Sequence, residues 1–228
     1  MSAPDLAVVL PAAGRASRFG GDKLALDLNG RSVLDRAVGL FLDRADVATV
    51  VVATDRPDEL RTILSPERHN HDNLAWCPGG EHRQATVANA LRLLELRSPP
   101  PRFVAVHDAA RPLASRELVD RVLAAARETG AAIPGVPVTD TIKRVTSGLV
   151  ADTPPRNELV AVQTPQIARL DWLLSALETE RDLASLTDDA QLLERAGRPV
   201  AVVAGEATNL KLTHPADAAR ARAILSER

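Results

Sequence analysis

The chain has 228 residues, 45% of them hydrophobic and 25% charged, a composition that fits a globular protein and gives no support to a scaffold or a disordered tether. Its net charge of -2, from 28 Lys and Arg against 30 Asp and Glu, offers no basic footprint for nucleic acid, and 2% aromatic residues are too few for base-stacking platforms. A single cysteine, Cys77, excludes internal disulfides and thiolate-rich metal sites, and a chain this long buries roughly 70% of its extended surface without either.

In chain order, Val-rich runs predict strands at Leu6 to Leu10, Val47 to Ala53, Phe103 to His107, Ala131 to Val138 and Val200 to Ala204. Apolar residues every three or four positions predict helices at Val33 to Leu42, Thr86 to Leu96, Leu118 to Glu128, Asp171 to Leu177, Asp188 to Ala196 and Ala216 to Leu225. Continuously apolar strands alternating with amphipathic helices imply an α/β protein, its mostly parallel sheet covered on both faces. The first run is too short for a signal-peptide core and ends at Pro11, and no stretch approaches the about 20 apolar residues of a membrane span. Segment 139–166, broken by Gly148, Pro154, Pro155 and Pro165, has no helical period and predicts a protruding hairpin or arm.

In such a sheet, binding residues are expected just past the C-terminal ends of strands, so loops 11–23 and 107–112 stand out. The first runs Pro11-Ala12-Ala13-Gly14-Arg15-Ala16-Ser17-Arg18-Phe19-Gly20-Gly21-Asp22-Lys23. Small residues let backbone amides approach an anion, with Arg18 and Lys23 as cationic donors to phosphate; a surface loop with two solvated cations fits the same pattern. The loop lacks the Gly-Lys-Ser/Thr ending of a Walker A motif and the glycine spacing of a dinucleotide fingerprint, so ATP hydrolysis and NAD binding lose support. Asp108, after the third strand, is placed either to hold Mg2+ or to cap a turn. Arg111 either braces that turn or faces substrate. One histidine, His107, cannot make a zinc site. Gly79-Gly80-Glu81 before a helix reads as a plain turn or as a close backbone approach to a ligand.

These loops, with His107-Asp108-Ala109-Ala110-Arg111-Pro112, Asp140-Thr141-Ile142-Lys143-Arg144, Arg156-Asn157, Gln163-Thr164-Pro165-Gln166, Thr187-Asp188-Asp189-Ala190 and Asn209-Leu210-Lys211, resemble the 2-C-methyl-D-erythritol 4-phosphate cytidylyltransferase family of the non-mevalonate isoprenoid pathway. The resemblance covers nearly the whole chain, in order. It implies a Rossmann-like nucleotidyltransferase fold, one domain over 1–228, with arm 139–166 taking part in a homodimer. It also implies transfer of CMP from CTP to methylerythritol phosphate. Arg18, Lys23 and Lys211 would be catalytic. Ala12, Ala13, Gly14, Gly80, Glu81, Thr86 and Asp108 would bind CTP, with Asp108 on Mg2+. Arg111, Thr141, Arg156 and Lys211 would bind the acceptor, Thr141 and Arg156 reaching into the neighbouring subunit's site. The pathway and the lack of export signals point to the cytoplasm, with no membrane or nucleic-acid partner.

Four departures mark this chain: Ala16 where the family commonly has glycine, Asp22 and Leu24 where Pro and Gln commonly flank the lysine, and Thr208 near a common Asp. Asp188 and Asp189 could stand in for that acid if the fold turned their loop inward. A ribitol-5-phosphate cytidylyltransferase and a non-catalytic nucleotide-binding assembly protein are the competing readings.

Overall fold

The computed structural model describes residues 4–14 and 21–227. In chain order the elements are β1 (Leu6–Pro11), β2 (Asp27–Leu28), β3 (Arg31–Ser32), α1 (Val33–Leu42), β4 (Val47–Ala53), α2 (Pro57–Thr62), α3 (Pro66–His69), β5 (Leu74–Cys77) and α4 (Arg83–Glu95). They continue with β6 (Phe103–Val106), α5 (Arg116–Thr129), β7 (Ala131–Pro137), β8 (Arg144–Thr146), β9 (Leu149–Asp152), β10 (Val160–Val162) and β11 (Gln166–Arg169). The chain closes with α6 (Leu170–Thr179), α7 (Asp189–Arg195), β12 (Ala201–Ala204) and α8 (Pro215–Ser226).

The main sheet has the order β10-β7-β11-β6-β1-β4-β5, with β12 also pairing with β7. Strands β6, β1, β4 and β5 are mutually parallel, as are β7 and β12, and β11 joins the two groups antiparallel to both β6 and β7. This is the expected α/β nucleotidyltransferase architecture, with β11 inserted against the grain between the two parallel groups and β10 also antiparallel to β7 at the edge. Strand β1 shows why both faces are covered: Leu6, Val8 and Leu10 point into one core with Phe41, Leu118 and Val122, and Ala7 and Val9 point into the other with Leu91, Leu94 and Leu173. Each fully buried Leu or Val contributes about 1.5–3 kcal/mol, so one six-residue strand ties together helices on both sides.

Helix ends are set locally. The Ser32 and Ser115 side chains accept from the Asp35 and Leu118 amides at 3.0 and 2.9 Å, starting α1 and α5. Gly130 ends α5 at φ +94°, where a Cβ would also overlap the Trp172 ring, so this position requires glycine. Within segment 139–166, β8 and β9 form a hairpin separate from the main sheet, and residues 141–153 are all exposed. The rest of the segment behaves differently. Val160–Val162 and Gln166–Arg169 return as strands of the main sheet, because Ile167 and Ala168 are apolar enough to be buried between β6 and β7. No helix among the described residues is long and apolar enough to cross a membrane.

Candidate active site

The parallel strands β1, β4 and β6 end at one edge, and there a cavity of about 730 Å3 opens. Ala12, Ala13, Gly14 and Lys23 line one side, Gly80, Glu81 and Thr86 another, and Asp108 and Lys211 the floor. Residues far apart in sequence, from the loops after β1 and β6 and the Gly-Gly turn, thus share one cleft. Arg18 and Ala16 lie outside the described residues.

The glycine wall is rigid. The Gly80 amide donates to Thr86 Oγ1 at 3.0 Å, and that hydroxyl donates to the His82 carbonyl at 3.1 Å. A Cβ at Gly80 would come within 2.7 Å of Ala85, so glycine is required for the backbone to lie this close to the start of α4. The Gly79 amide donates to Asp55 Oδ1 at 3.0 Å, and Asn89 Nδ2 donates to the Gly79 carbonyl at 2.9 Å.

The floor is a cluster of one carboxylate and three cations. Asp108 Oδ2 lies 2.9 Å from Lys211 Nζ and 3.6 Å from Arg111 Nε, and Oδ1 lies 3.3 Å from Arg83 Nε. Burial works to raise the Asp108 pKa, but Lys211, Arg83 and Arg111 outweigh it and hold the carboxyl well below the usual carboxylate range. The group is therefore an anion at any working pH. Arg83 also forks Asp189 at 3.1 and 2.8 Å, so two acids clamp it from opposite sides.

Asp108 is held through its backbone as well. Its amide donates to Thr164 Oγ1 at 3.0 Å, Thr164 Oγ1 lies 3.1 Å from His107 Nδ1, and His107 Nε2 lies 3.0 Å from the Arg111 carbonyl. A carbonyl only accepts, so Nε2 carries the ring proton and Nδ1 accepts from the threonine hydroxyl. Burial pushes the His107 pKa down to about 4, which keeps this relay neutral. Buried Asn209 completes the support: its Nδ2 donates to the Thr164 carbonyl at 2.9 Å, and its own carbonyl accepts from Arg111 Nη1 at 2.7 Å. With Leu212 N bonded to the Ala110 carbonyl at 2.9 Å, the backbone is fixed on both sides of Lys211. The Gln-Thr-Pro-Gln and Asn-Leu-Lys segments thus hold the loops that present Asp108 and Lys211.

Thr141 and Arg156 lie away from this cavity, at the base of the exposed arm, where Arg156 Nη1 donates to the Thr139 carbonyl at 2.8 Å and Lys143 Nζ to Thr153 Oγ1 at 2.8 Å. Arg111 both braces its loop, through Asn209, and faces Asp108. Asp189 does not reach the cavity wall; it acts on Arg83, and Asp188 caps α7 by accepting from the Gln191 amide at 2.9 Å.

Arg83 is the residue that sequence reasoning missed. One signal pointed to it: it is the first residue of α4, where the helix dipole disfavours a cation and the first turn holds no acid. An arginine there needs carboxylates from elsewhere in the fold, and Asp108 and Asp189 supply them.

Comparison with known proteins settles the family. The family model for IspD, 2-C-methyl-D-erythritol 4-phosphate cytidylyltransferase, matches residues 6–227. The chain belongs to that family. The enzyme of that name from Rhodopirellula baltica is 38% identical over 240 residues, covering 99% of this chain and 96% of its own length. The bifunctional enzyme IspD/IspF of Bradyrhizobium sp. (strain ORS 278) is 41% identical over 96% of this chain but only 56% of that relative, so the chain spans about half the length of the bifunctional proteins it matches. The crystal structure of 2-C-methyl-D-erythritol 4-phosphate cytidylyltransferase from Thermus thermophilus is 39% identical, with TM-score 0.74 over 96% of this chain and 98% of that one.

Two departures from the usual IspD loop have structural partners here. Asp22 pairs with Arg56, Nη1 to Oδ2 at 2.6 Å, and Leu24 is buried in the core beneath the loop. Among the described residues no three His, Cys, Asp or Glu side chains converge as a metal cage. A nucleotide-borne Mg2+ does not need one, since it takes one or two carboxylates and completes its shell with phosphate oxygens and water. Ionised Asp108 fits that donor pattern.

Proposed function

We propose that this chain transfers CMP from CTP to 2-C-methyl-D-erythritol 4-phosphate, giving 4-diphosphocytidyl-2-C-methyl-D-erythritol and pyrophosphate. The observation that carries the reading is the cavity itself: the small-residue loop after β1, the Gly79-Gly80 turn and the Asp108–Lys211 floor meet in one cleft of a chain from this family.

In this reading a phosphate oxygen of the acceptor attacks the α-phosphorus of CTP. The new P–O bond forms as the bond to the β-phosphate bridging oxygen breaks, and pyrophosphate leaves with that electron pair. The nucleophile is already anionic, so no protein base and no covalent enzyme intermediate is required. The protein brings two anions together and stabilises the charge that gathers around the α-phosphorus. Lys23 and Lys211 are assigned to that charge, with Arg18 added on the family resemblance alone. The amides at Ala12, Ala13 and Gly14 take the triphosphate, Gly80 and Thr86 the cytosine edge, and Glu81 the ribose. Arg111 and Lys211 take the acceptor phosphate. Asp108 would hold Mg2+, which when bound with CTP neutralises phosphate oxygens.

The acceptor site is completed by Thr141 and Arg156 from a second subunit. Exposed Val145, Leu149 and Val150 on the arm are side chains that a homodimer partner would cover. The working compartment is the cytoplasm, where CTP and the acceptor are available.

The test is Mg2+-dependent pyrophosphate release from CTP with methylerythritol phosphate, ribitol 5-phosphate or no acceptor. Release only with methylerythritol phosphate is expected. Release with ribitol 5-phosphate instead replaces the acceptor and keeps the chemistry. No turnover with either, by a folded protein that binds CTP, would leave a non-catalytic nucleotide-binding role.

A further inference from the structure

The cavity's two lysines are presented in the same way. Lys211 sits between Asn209, a buried polar anchor, and Leu212, which is fully buried. Lys23 sits between Asp22, ion-paired to Arg56, and Leu24, which is 3% exposed in the core. Each cationic side chain is thus carried on a short backbone stretch fastened on both sides. The fastening at Lys23 is extensive: Asp22 Oδ1 accepts from the Leu24 amide at 3.1 Å, the Asp22 carbonyl accepts from the Ala25 amide at 3.2 Å, and the Leu24 carbonyl accepts from the Leu34 amide at 3.1 Å.

Arg56 belongs to the corner that follows β4, and that corner touches both side walls of the cleft. Thr54 Oγ1 donates to the Ala12 carbonyl at 3.2 Å and accepts from the Arg56 amide at 3.3 Å. Asp55 accepts from the Gly79 amide, and Arg56 takes Asp22. Three consecutive residues therefore set the start of the small-residue loop, its end at Lys23, and the glycine turn. Arg56 also bonds Glu59 at 3.2 Å, which steadies its guanidinium from the first turn of α2. The Asp22–Arg56 pair is too exposed, at 32% and 22% of the side chains, to matter much for folding stability, so its use lies in geometry.

We infer that Asp22 and Arg56 are positioning residues for the transfer reaction: their ion pair, built on the β4 corner, fixes Lys23 against the α-phosphate of the bound nucleotide. This rests on Lys23 acting in the reaction as proposed above. Asp22 contacts no substrate in this account and acts only through the lysine beside it. The pair does in this chain what a stiff residue before the lysine would do by backbone restriction.

Kinetics separate positioning from simple charge. Asp22→Asn removes a negative charge beside the triphosphate site, so electrostatics alone lowers KM for CTP, and Arg56→Met, which removes a positive charge, raises it. Positioning instead lowers kcat about tenfold in both single variants, and the double variant falls by the same tenfold because both singles break one interaction. Melting temperatures within a few degrees of the parent are expected throughout. The inference is overturned if either single variant keeps kcat within twofold of the parent, or if the two losses multiply in the double variant. Lys23→Ala, run alongside, divides the two claims. An unchanged kcat in that variant removes the catalytic role of Lys23 and this inference with it. A collapsed kcat beside parent-like Asp22→Asn and Arg56→Met removes the positioning role alone.

Discussion

The floor of the cavity and the arm are opposite ways of placing charged groups. Around Asp108, folding alone brings Lys211, Arg83 and Arg111 to within 4 Å of one carboxylate and braces them with buried His107, Thr164 and Asn209. On the arm, Thr141, Lys143 and Arg156 are exposed, and among the described residues Arg156 and Lys143 hydrogen-bond to Thr139 and Thr153 of the arm itself. The difference teaches where each half of the reaction gets its precision. In the reaction proposed above, the nucleotide half would be preorganised within one chain, and the acceptor half would need a surface from a second subunit.

The contrast can be tested from both ends, beginning with the floor. Lys211→Ala should lower kcat/KM by about 10²–10³-fold, the loss seen when one donor to developing charge is removed, with little change in melting temperature because the side chain is 43% exposed. Pyrophosphate release and a thermal melt check both halves of that statement. Asp189→Ala should act the other way round. It leaves Arg83 with half its counter-charge and costs about 3 kcal/mol of stability, the low end for breaking a buried pair because Arg83 keeps partial exposure; urea unfolding would measure it.

His107 supplies a pH test of the same region. Its folded pKa, pushed down by burial to about 4, lies below the ordinary value of about 6.5, so the unfolded chain binds the proton first on acidification. Stability therefore falls from about pH 6.5 downward, by roughly 2 kcal/mol between pH 7 and pH 5 from this group alone. Unfolding midpoints across that range should show the slope in the parent and lose this part of it in His107→Gln. The smallest effect on the fold belongs to the arm. Arg156→Ala should stay within about 0.5 kcal/mol of parental stability and leave KM for CTP unchanged, while raising KM for the acceptor about tenfold. If it altered CTP binding or the melt instead, the division between the two regions would fail.

Much of this organisation is legible in sequence because it rests on local signals. The runs ending at Leu10 and Ala53 are almost continuously apolar, broken only by Thr49 in the second, as a strand buried on both faces requires, and the loops beyond them carry small and charged residues of the cleft. Strand β5 was not visible, since Leu74-Ala75-Trp76-Cys77 is short, half-buried at the sheet edge and lacks a strand period. Nor was β11, whose antiparallel seat between β6 and β7 is a matter of tertiary pairing. Arg83 and Asp189 are 106 positions apart, so no spacing rule joins them; only the oddity of a cation opening a helix marks one of the two. Asp22 shows the converse. A departure from a familiar pattern reads as a loss in sequence, and only the position of Arg56 reveals the partner that goes with it.

Lysine usage gives the protein a built-in reporter. Of its 28 basic residues only Lys23, Lys143 and Lys211 are lysines, two in the cleft and one at the arm base. Amine-selective acylation followed by peptide mass mapping would therefore read both regions in one experiment, with only the chain's amino terminus as background. CTP should shield Lys23 and Lys211 from the reagent, and self-association through the arm should shield Lys143. Nucleotide occupancy and subunit pairing could then be followed together in a crude mixture, without a tag or an introduced probe.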